Sequence, residues 1–156
     1  MGASERRLIP SGSPYEPTVG FSRAVVAGPN VFVAGTAPVM PDGAEPPADA
    51  YGQAKRCLEI VGAALDEAGA SFADVVRTRL YLTTLEAFDG VSRAHGEVFG
   101  DIRPASTAVV VAGLVDPRWL VEIEAQALVG SRADRDQGAS RSTDQPPVAG
   151  SPGGRE

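Results

Sequence analysis

Apolar residues along this chain change period several times, and each change marks an element. Tyr51, Ala54, Leu58, Val61, Leu65 and Ala68 recur at spacings of three and four, the helical period. Cys57, Ala63 and Ala64 flank that stripe, and Lys55, Arg56, Glu59, Asp66 and Glu67 lie mostly off it. Asp49 is placed to cap the start of this helix, and Gly69 to stop it in left-handed geometry. Residues 75–83 alternate instead. Val76, Thr78, Leu80 and Leu82 share one face, with Arg77, Arg79 and Tyr81 on the other, which predicts a half-buried strand. A second helical stripe of Phe88, Val91, His95 and Val98/Phe99 predicts a helix over 85–99, ended by Gly100.

The alternation is cleanest over 120–128. Val121, Ile123, Ala125 and Ala127 point one way, and Leu120, Glu122, Glu124 and Gln126 the other. Residues 107–112 are apolar and β-branched, and Gly113 with Asp116-Pro117 separates them from the alternating run, so the two runs predict a closing hairpin. Residues 21–27 and 31–35 predict a first hairpin around Gly28-Pro29-Asn30, with Gly35 suited to close backbone approach. Residues 6–9 suit a short edge strand. The order strand–helix–strand–helix–strand–strand predicts an α+β or α/β two-layer sandwich, with two helices on one face of the sheet. Its other face carries Arg77, Arg79, Glu122 and Glu124 among apolar residues, a surface expected to be covered by self-association.

Three regions are expected: an N-terminal extension over 1–19, one folded domain over 20–130, and a tail over 131–156. The tail is dense in Ser, Gly, Pro, Asp and Arg without apolar periodicity, so it is expected to be disordered. Net charge is −6, which argues against a nucleic-acid partner. No apolar run approaches the length of a membrane span, and the N-terminus lacks the apolar core of a secretory signal. Cys57 is the single cysteine and His95 the single histidine, so neither a disulfide nor an ordinary zinc set is expected, and no metal or other cofactor is predicted. A reducing cytoplasm fits best. Cys57 reads as a buried, inert thiol. His95 reads as a core-edge residue on the side of the sheet away from Ser106, so no Ser–His pair is expected.

Several pieces resemble the RidA/YjgF/UK114 (Rid) family of 2-imino acid deaminases. They are Pro104-Ala105-Ser106-Thr107, Val111-Ala112-Gly113-Leu114, Val121-Glu122-Ile123-Glu124-Ala125, the stretch GFSRAVVAGPNVFVAGTAPV, and the segment from Asp74 to Thr83 with its helix ending at Phe99-Gly100. The resemblance spans roughly residues 20–129. It implies a chorismate-mutase-like fold, a homotrimer, and small-molecule ligands bound at the clefts between subunits. The family's catalytic glutamate corresponds to Glu122, which the resemblance makes the activator of the attacking water. Its tyrosine position is Phe21, and its carboxylate-gripping arginine position is Ser106, the pattern of an arginine-lacking branch. A hydroxyl cannot replace a bidentate guanidinium–carboxylate pair.

The candidate substrate-binding residues are therefore Phe21, Arg23, Ser106, Thr107 and Trp119. Arg23, two residues beyond Phe21 and on the same face of the expected strand, is a candidate substitute for the missing arginine; it could equally pair with Glu122 or Glu124. Arg118 is a second candidate, or a solvated turn residue. Glu122 and Glu124 could both be counter-ions to Arg77 and Arg79. The functional alternatives are an imine or enamine hydrolase, a non-catalytic ligand-binding trimer, and a chaperone-like or regulatory oligomer.

Overall fold

The computed structural model of the chain describes residues 6–131. Its strands are β1 (Arg6–Ile9), β2 (Ala24–Ala27), β3 (Asn30–Thr36), β4 (Val75–Leu82), β5 (Ala105–Val110) and β6 (Val121–Leu128), and its main helices are α1 (Ala50–Glu67) and α2 (Ala87–Phe99). The strands form one mixed sheet in the order β1-β2-β3-β6-β4-β5. Both helices cover the same sheet face, as the periodicities predict. The expected tail lies outside the described residues except for Ser131.

One transverse row shows how the core is made. Ile9, Ala24, Val33, Ala125, Thr78 and Ser106 are register partners from one edge of the sheet to the other. The first five are buried beneath the helices, and Ser106 ends the row on the exposed edge strand. The neighbouring row, Leu8, Val25, Phe32 and Gln126, faces the opposite way. Leu8 and Phe32 are 57% and 44% exposed, so this second face is apolar in part and open. Period-two alternation in β6 is what separates the faces: Val121, Ile123, Ala125 and Ala127 are all buried, and Glu122, Glu124 and Gln126 are half-buried on the open side.

α1 begins as expected, with the Asp49 side chain accepting from the Gly52 backbone N–H at 2.8 Å. Gly69 has φ +81°, the left-handed stop. Gln53 is an addition to the expected stripe. It is buried, and its amide donates to Pro47 O and Arg118 O and accepts from Leu120 N. Polar residues that satisfy backbone groups this way are invisible to a hydrophobic-period count. Ala63, by contrast, is exposed.

Four expectations need correction. The closing pair is not a hairpin: β5 lies parallel to β4, and β6 lies antiparallel on β4's other edge. Residues 111–120 carry the chain past β4, so an apolar run followed by an alternating run gave the strands but not their pairing. In β4, a register shift between Val75 and Arg77 turns Val76 outward and Val75 into the core. Helix α2 starts at Ala87, later than expected, and Phe88 is 46% exposed, while Ala87, Val91, Ala94 and Phe99 are buried. Its small face allows close contact with α1, where a Cβ on Gly90 would lie 2.9 Å from Tyr51 N. Finally, β2 starts at Ala24, because a five-residue π turn (Glu16–Gly20) and Gly20 at φ +80° redirect the chain ahead of it. Phe21 and Arg23 therefore precede the strand rather than share its face.

β1 is tied to the helix layer as well as to the sheet. Arg7 donates to the C-terminal α1 carbonyls of Glu67 (3.0 Å) and Ala68 (2.8 Å). A cation there complements the helix dipole and satisfies carbonyls that the helix itself cannot. Arg7→Ala should lower unfolding free energy by about 1 kcal/mol in urea denaturation, with less than half that loss in Arg7→Lys. An unchanged midpoint in Arg7→Ala would show that the contact carries no net stability.

Candidate functional site

Glu122 projects from β6 onto the open sheet face. Its carboxylate occupies space that exists only because residue 35 is glycine: a Cβ built on Gly35 would lie 2.0 Å from Glu122 Oε1. Gly35 is expected from the sequence to permit close approach to the backbone, and the group that approaches is this carboxylate. β3 is irregular here. Val33 pairs with Ala125 and Thr36 with Ile123, so two residues, Ala34 and Gly35, stand opposite one.

Among the described residues, Glu122 has no ion pair and no hydrogen-bond donor. Burial pushes its pKa above the usual glutamate value, the Glu124 charge adds to the rise, and Arg23 offsets part of it. Glu124 is different. It pairs with Arg79 at 2.9 Å and accepts from the Tyr81 hydroxyl at 3.1 Å. The counter-ion alternative thus describes Glu124, whereas Arg77 faces Gln126 in register and leaves Glu122 alone.

Arg23 reaches the same spot from the segment before β2. Its Nη1 donates to Gly35 O at 3.1 Å and to Thr36 Oγ1 at 2.9 Å. Thr36 is fully buried, and its hydroxyl donates a hydrogen bond to Ala34 O at 2.8 Å. Arg23 forms no ion pair among the described residues. Burial lowers its pKa, while the charges of Glu122 and Glu16 support it. Gly35 therefore carries both groups, Arg23 on its carbonyl and Glu122 against its α-carbon.

The other candidates are dispersed. Phe21 is 37% exposed, two residues before Arg23. Thr107 is on the Glu122 face, two strands away, in register with Arg79. Trp119 is half-buried at the end of the turn before β6, its backbone N–H donating to Asp116 O at 3.0 Å. Arg118 is exposed and held by Asp116 and Glu45, which fits the solvated-turn alternative. Ser106 lies on the helix-facing side. Thr78 Oγ1 donates to Ser106 Oγ and contacts His95 Nε2, both at 2.9 Å. His95 is a hydrogen-bonded core-edge residue as expected, but it is not separated from Ser106: the buried Thr78 hydroxyl links them. Cys57 is buried with its Sγ 3.8 Å from Val121 O, and burial pushes its thiol pKa far up. No group of three or more metal-ligating side chains occurs among the described residues. No helix there is long and apolar enough to cross a membrane.

A mixed sheet with two helices on one face, and on the other a glutamate unpaired among the described residues beside a strand-interior glycine, defines an α+β scaffold seen in known proteins. Residues 12–129 match the family model described as endoribonuclease L-PSP. An uncharacterised Streptomyces coelicolor protein is 41% identical over 131 residues, covering 84% of this chain and 98% of its own. A RutC family protein of Pyrococcus abyssi is 39% identical over 113 residues, covering 72% and 88%. A solved Mycobacterium tuberculosis structure, described as a member of the YjgF/YER057c/UK114 family, shares 43% identity with a TM-score of 0.73, covering 80% of this chain and all of that one. The chain belongs to this Rid family.

The folded chain holds the Glu122 proton more tightly than the unfolded chain does, so ionised Glu122 opposes folding at pH above its raised value. The penalty vanishes below the ordinary glutamate range. Glu122→Gln should therefore raise Tm at about pH 8, with the gain disappearing toward about pH 4. A lower Tm at every pH would show Glu122 to be a structural counter-ion. Gly35→Ala places a methyl group where the carboxylate lies, so the 13C titration of Glu122 should shift toward the ordinary glutamate range in a protein that still folds. An unmoved titration would show that the carboxylate does not sit against Gly35.

Proposed function

We propose that the protein hydrolyses a small, reactive imine or enamine, with Glu122 activating water. The observation that carries this reading is the Glu122 carboxylate itself: half-buried, set against the Gly35 α-carbon, unpaired among the described residues, and raised in proton affinity by burial. Glu122 takes a proton from water as the oxygen bonds to the imine carbon and the C=N π pair moves to nitrogen. The same carboxyl group then returns that proton to nitrogen, giving a carbinolamine; Glu122 next takes the carbinolamine's hydroxyl proton and delivers it to nitrogen as the C–N bond breaks, so ammonia leaves and a carbonyl product remains. Phe21, Arg23, Thr107 and Trp119 supply lining and orientation, and Ser106 stands at the position where the family resemblance places a carboxylate-gripping arginine.

Within one chain Ser106 and Glu122 lie on opposite sheet faces, which supports a site completed by a second copy at a subunit cleft. The open row of Leu8, Val25 and Phe32 supports a homotrimer formed through this face. A non-catalytic ligand-binding trimer is the second reading, favoured by the absence of a hydroxyl at Phe21 and of a guanidinium at Ser106. The ribonuclease description attached to the family model finds little electrostatic support in a chain of net charge −6 whose open face carries Glu122 and Glu124.

An imine made in place by an amino-acid oxidase, and trapped by semicarbazide, tests the reading. The protein should suppress the trapped adduct, and Glu122→Gln should lose at least about a hundredfold in rate with the oligomeric state unchanged. Full activity in Glu122→Gln would end the reading; binding without turnover in the native protein would select the ligand-binding alternative.

A further inference from the structure

The helix-facing side of the sheet holds three groups whose chemistry imine hydrolysis leaves unused. Thr78 Oγ1 lies 2.9 Å from Ser106 Oγ and 2.9 Å from His95 Nε2. Thr78 is buried, His95 is half-buried, and Ser106 is exposed on the edge strand. The row therefore runs from a nucleophilic oxygen at the surface to an imidazole inside. A hydroxyl can turn its one proton to either neighbour, so the row also conducts inward. With the imidazole proton on Nδ1, Thr78 donates to His95 Nε2 and accepts from Ser106. Burial lowers the His95 pKa, so the ring is uncharged at neutral pH and has a lone pair to offer.

The surroundings of Ser106 add two features that a bare hydroxyl pair lacks. The first is an apolar shelf. Ala108 and Val110, the next residues on the helix-facing side of β5, are exposed, although their register partners Leu80 and Leu82 are buried. The shelf leads away from Ser106 by about 7 Å for each pair of residues. The second is a set of backbone donors. Val111 N–H bonds Leu82 O at 2.8 Å, so by strand alternation the N–H groups of Ser106 and Ala108 point out of the sheet. β5 ends the sheet, and no strand among the described residues pairs with them there.

We propose that Ser106 is an acyl-accepting nucleophile, activated through Thr78 by His95, and that it takes a short acyl group from an activated ester or thioester. Ser106 Oγ bonds to the acyl carbon as the carbonyl π pair moves to oxygen, where the free backbone N–H groups stabilise the charge. The Ser106 proton passes to Thr78 Oγ1 while the Thr78 proton passes to His95 Nε2. The carbonyl then re-forms and the bond to the leaving group breaks. Its electron pair departs with a phenolate or thiolate, which needs no proton. The half-buried imidazolium gives one proton to water. An acyl chain of a few carbons lies along Ala108 and Val110. This activity goes beyond imine hydrolysis and makes no use of Glu122, which faces the other side of the sheet.

Incubating the full chain with 4-nitrophenyl butyrate tests the step, with phenolate release followed, the adduct read by intact mass and its position mapped on peptides. A single butyryl group should appear on Ser106, as an ester that hydroxylamine removes. Ser106 should acylate at least about a hundredfold faster than any other serine in the chain. Ser106→Ala should take no hydroxylamine-labile group. Thr78→Val keeps the shape but breaks the row, and His95→Gln keeps a hydrogen-bonding side chain but not the base. Each should slow acylation by at least about a hundredfold, and Thr78→Ser should keep most of the rate. A role confined to packing would let Thr78→Val label as fast as Thr78→Ser.

Labelling confined to Lys55 or the N-terminal amine, no adduct at all, a hydroxylamine-labile adduct that persists in Ser106→Ala, or an unchanged rate in folded Thr78→Val or His95→Gln protein would each overturn the proposal. The adduct is read by mass and needs no imine, so this activity and imine hydrolysis stand or fall separately.

Discussion

Strand β6 is hydrogen-bonded along both edges, to β3 and to β4, and the rest of the molecule is arranged by that constraint. A strand paired on both sides cannot rotate or slip without breaking two ladders, so its alternation is fixed. Val121, Ile123, Ala125 and Ala127 are committed to the helix layer, and of the strand's apolar residues Leu128 at its end is left exposed. Glu122 and Glu124 are consequently forced onto the open face as adjacent residues of like charge. Gln53 and Cys57, one turn apart on α1, contact Leu120 N and Val121 O, so the helix also fixes where the strand begins.

Two carboxylates held on one face can be accommodated only if they are treated differently. Glu124 receives a guanidinium and a phenol. Glu122 receives a backbone α-carbon and a cation that is bonded elsewhere. This asymmetry costs stability and leaves Glu122, whose pKa burial raises, as the carboxylate free for acid–base chemistry. Gly35 is the element that permits it, since any larger residue would fill the volume Glu122 uses.

The helix side has its own polar thread. Thr78 is buried in the middle of the core row, and its hydroxyl joins His95 on α2 to Ser106 on the edge strand β5. The desolvation of a hydroxyl and an imidazole is thereby offset by mutual hydrogen bonding. Burial lowers the His95 pKa, in keeping with a neutral ring resting 4.6 Å from Phe99. The edge strand, exposed on both faces, is anchored inward at this one point near its start.

The sequence by itself determined the periodic parts. The Asp49 cap, the α1 stripe, the Gly69 stop and the alternation of β6 were all legible, because each depends on neighbours within a turn or on a strand's own two faces. The resemblance carried by short motifs reached the family for the same reason, since those motifs lie within single elements. Tertiary structure alone decided the rest. Pairing is a contact between residues distant in sequence, so no local pattern could place β6 between β3 and β4 or set β5 parallel on the far edge. One extra residue in β4 reversed the face of Val76, and a turn at residues 16–20 took Phe21 and Arg23 out of β2. The meeting of Arg23, Gly35 and Glu122 depends on three segments converging, and the pKa of Glu122 depends on how much water that convergence excludes. Neither quantity exists until the sheet has formed.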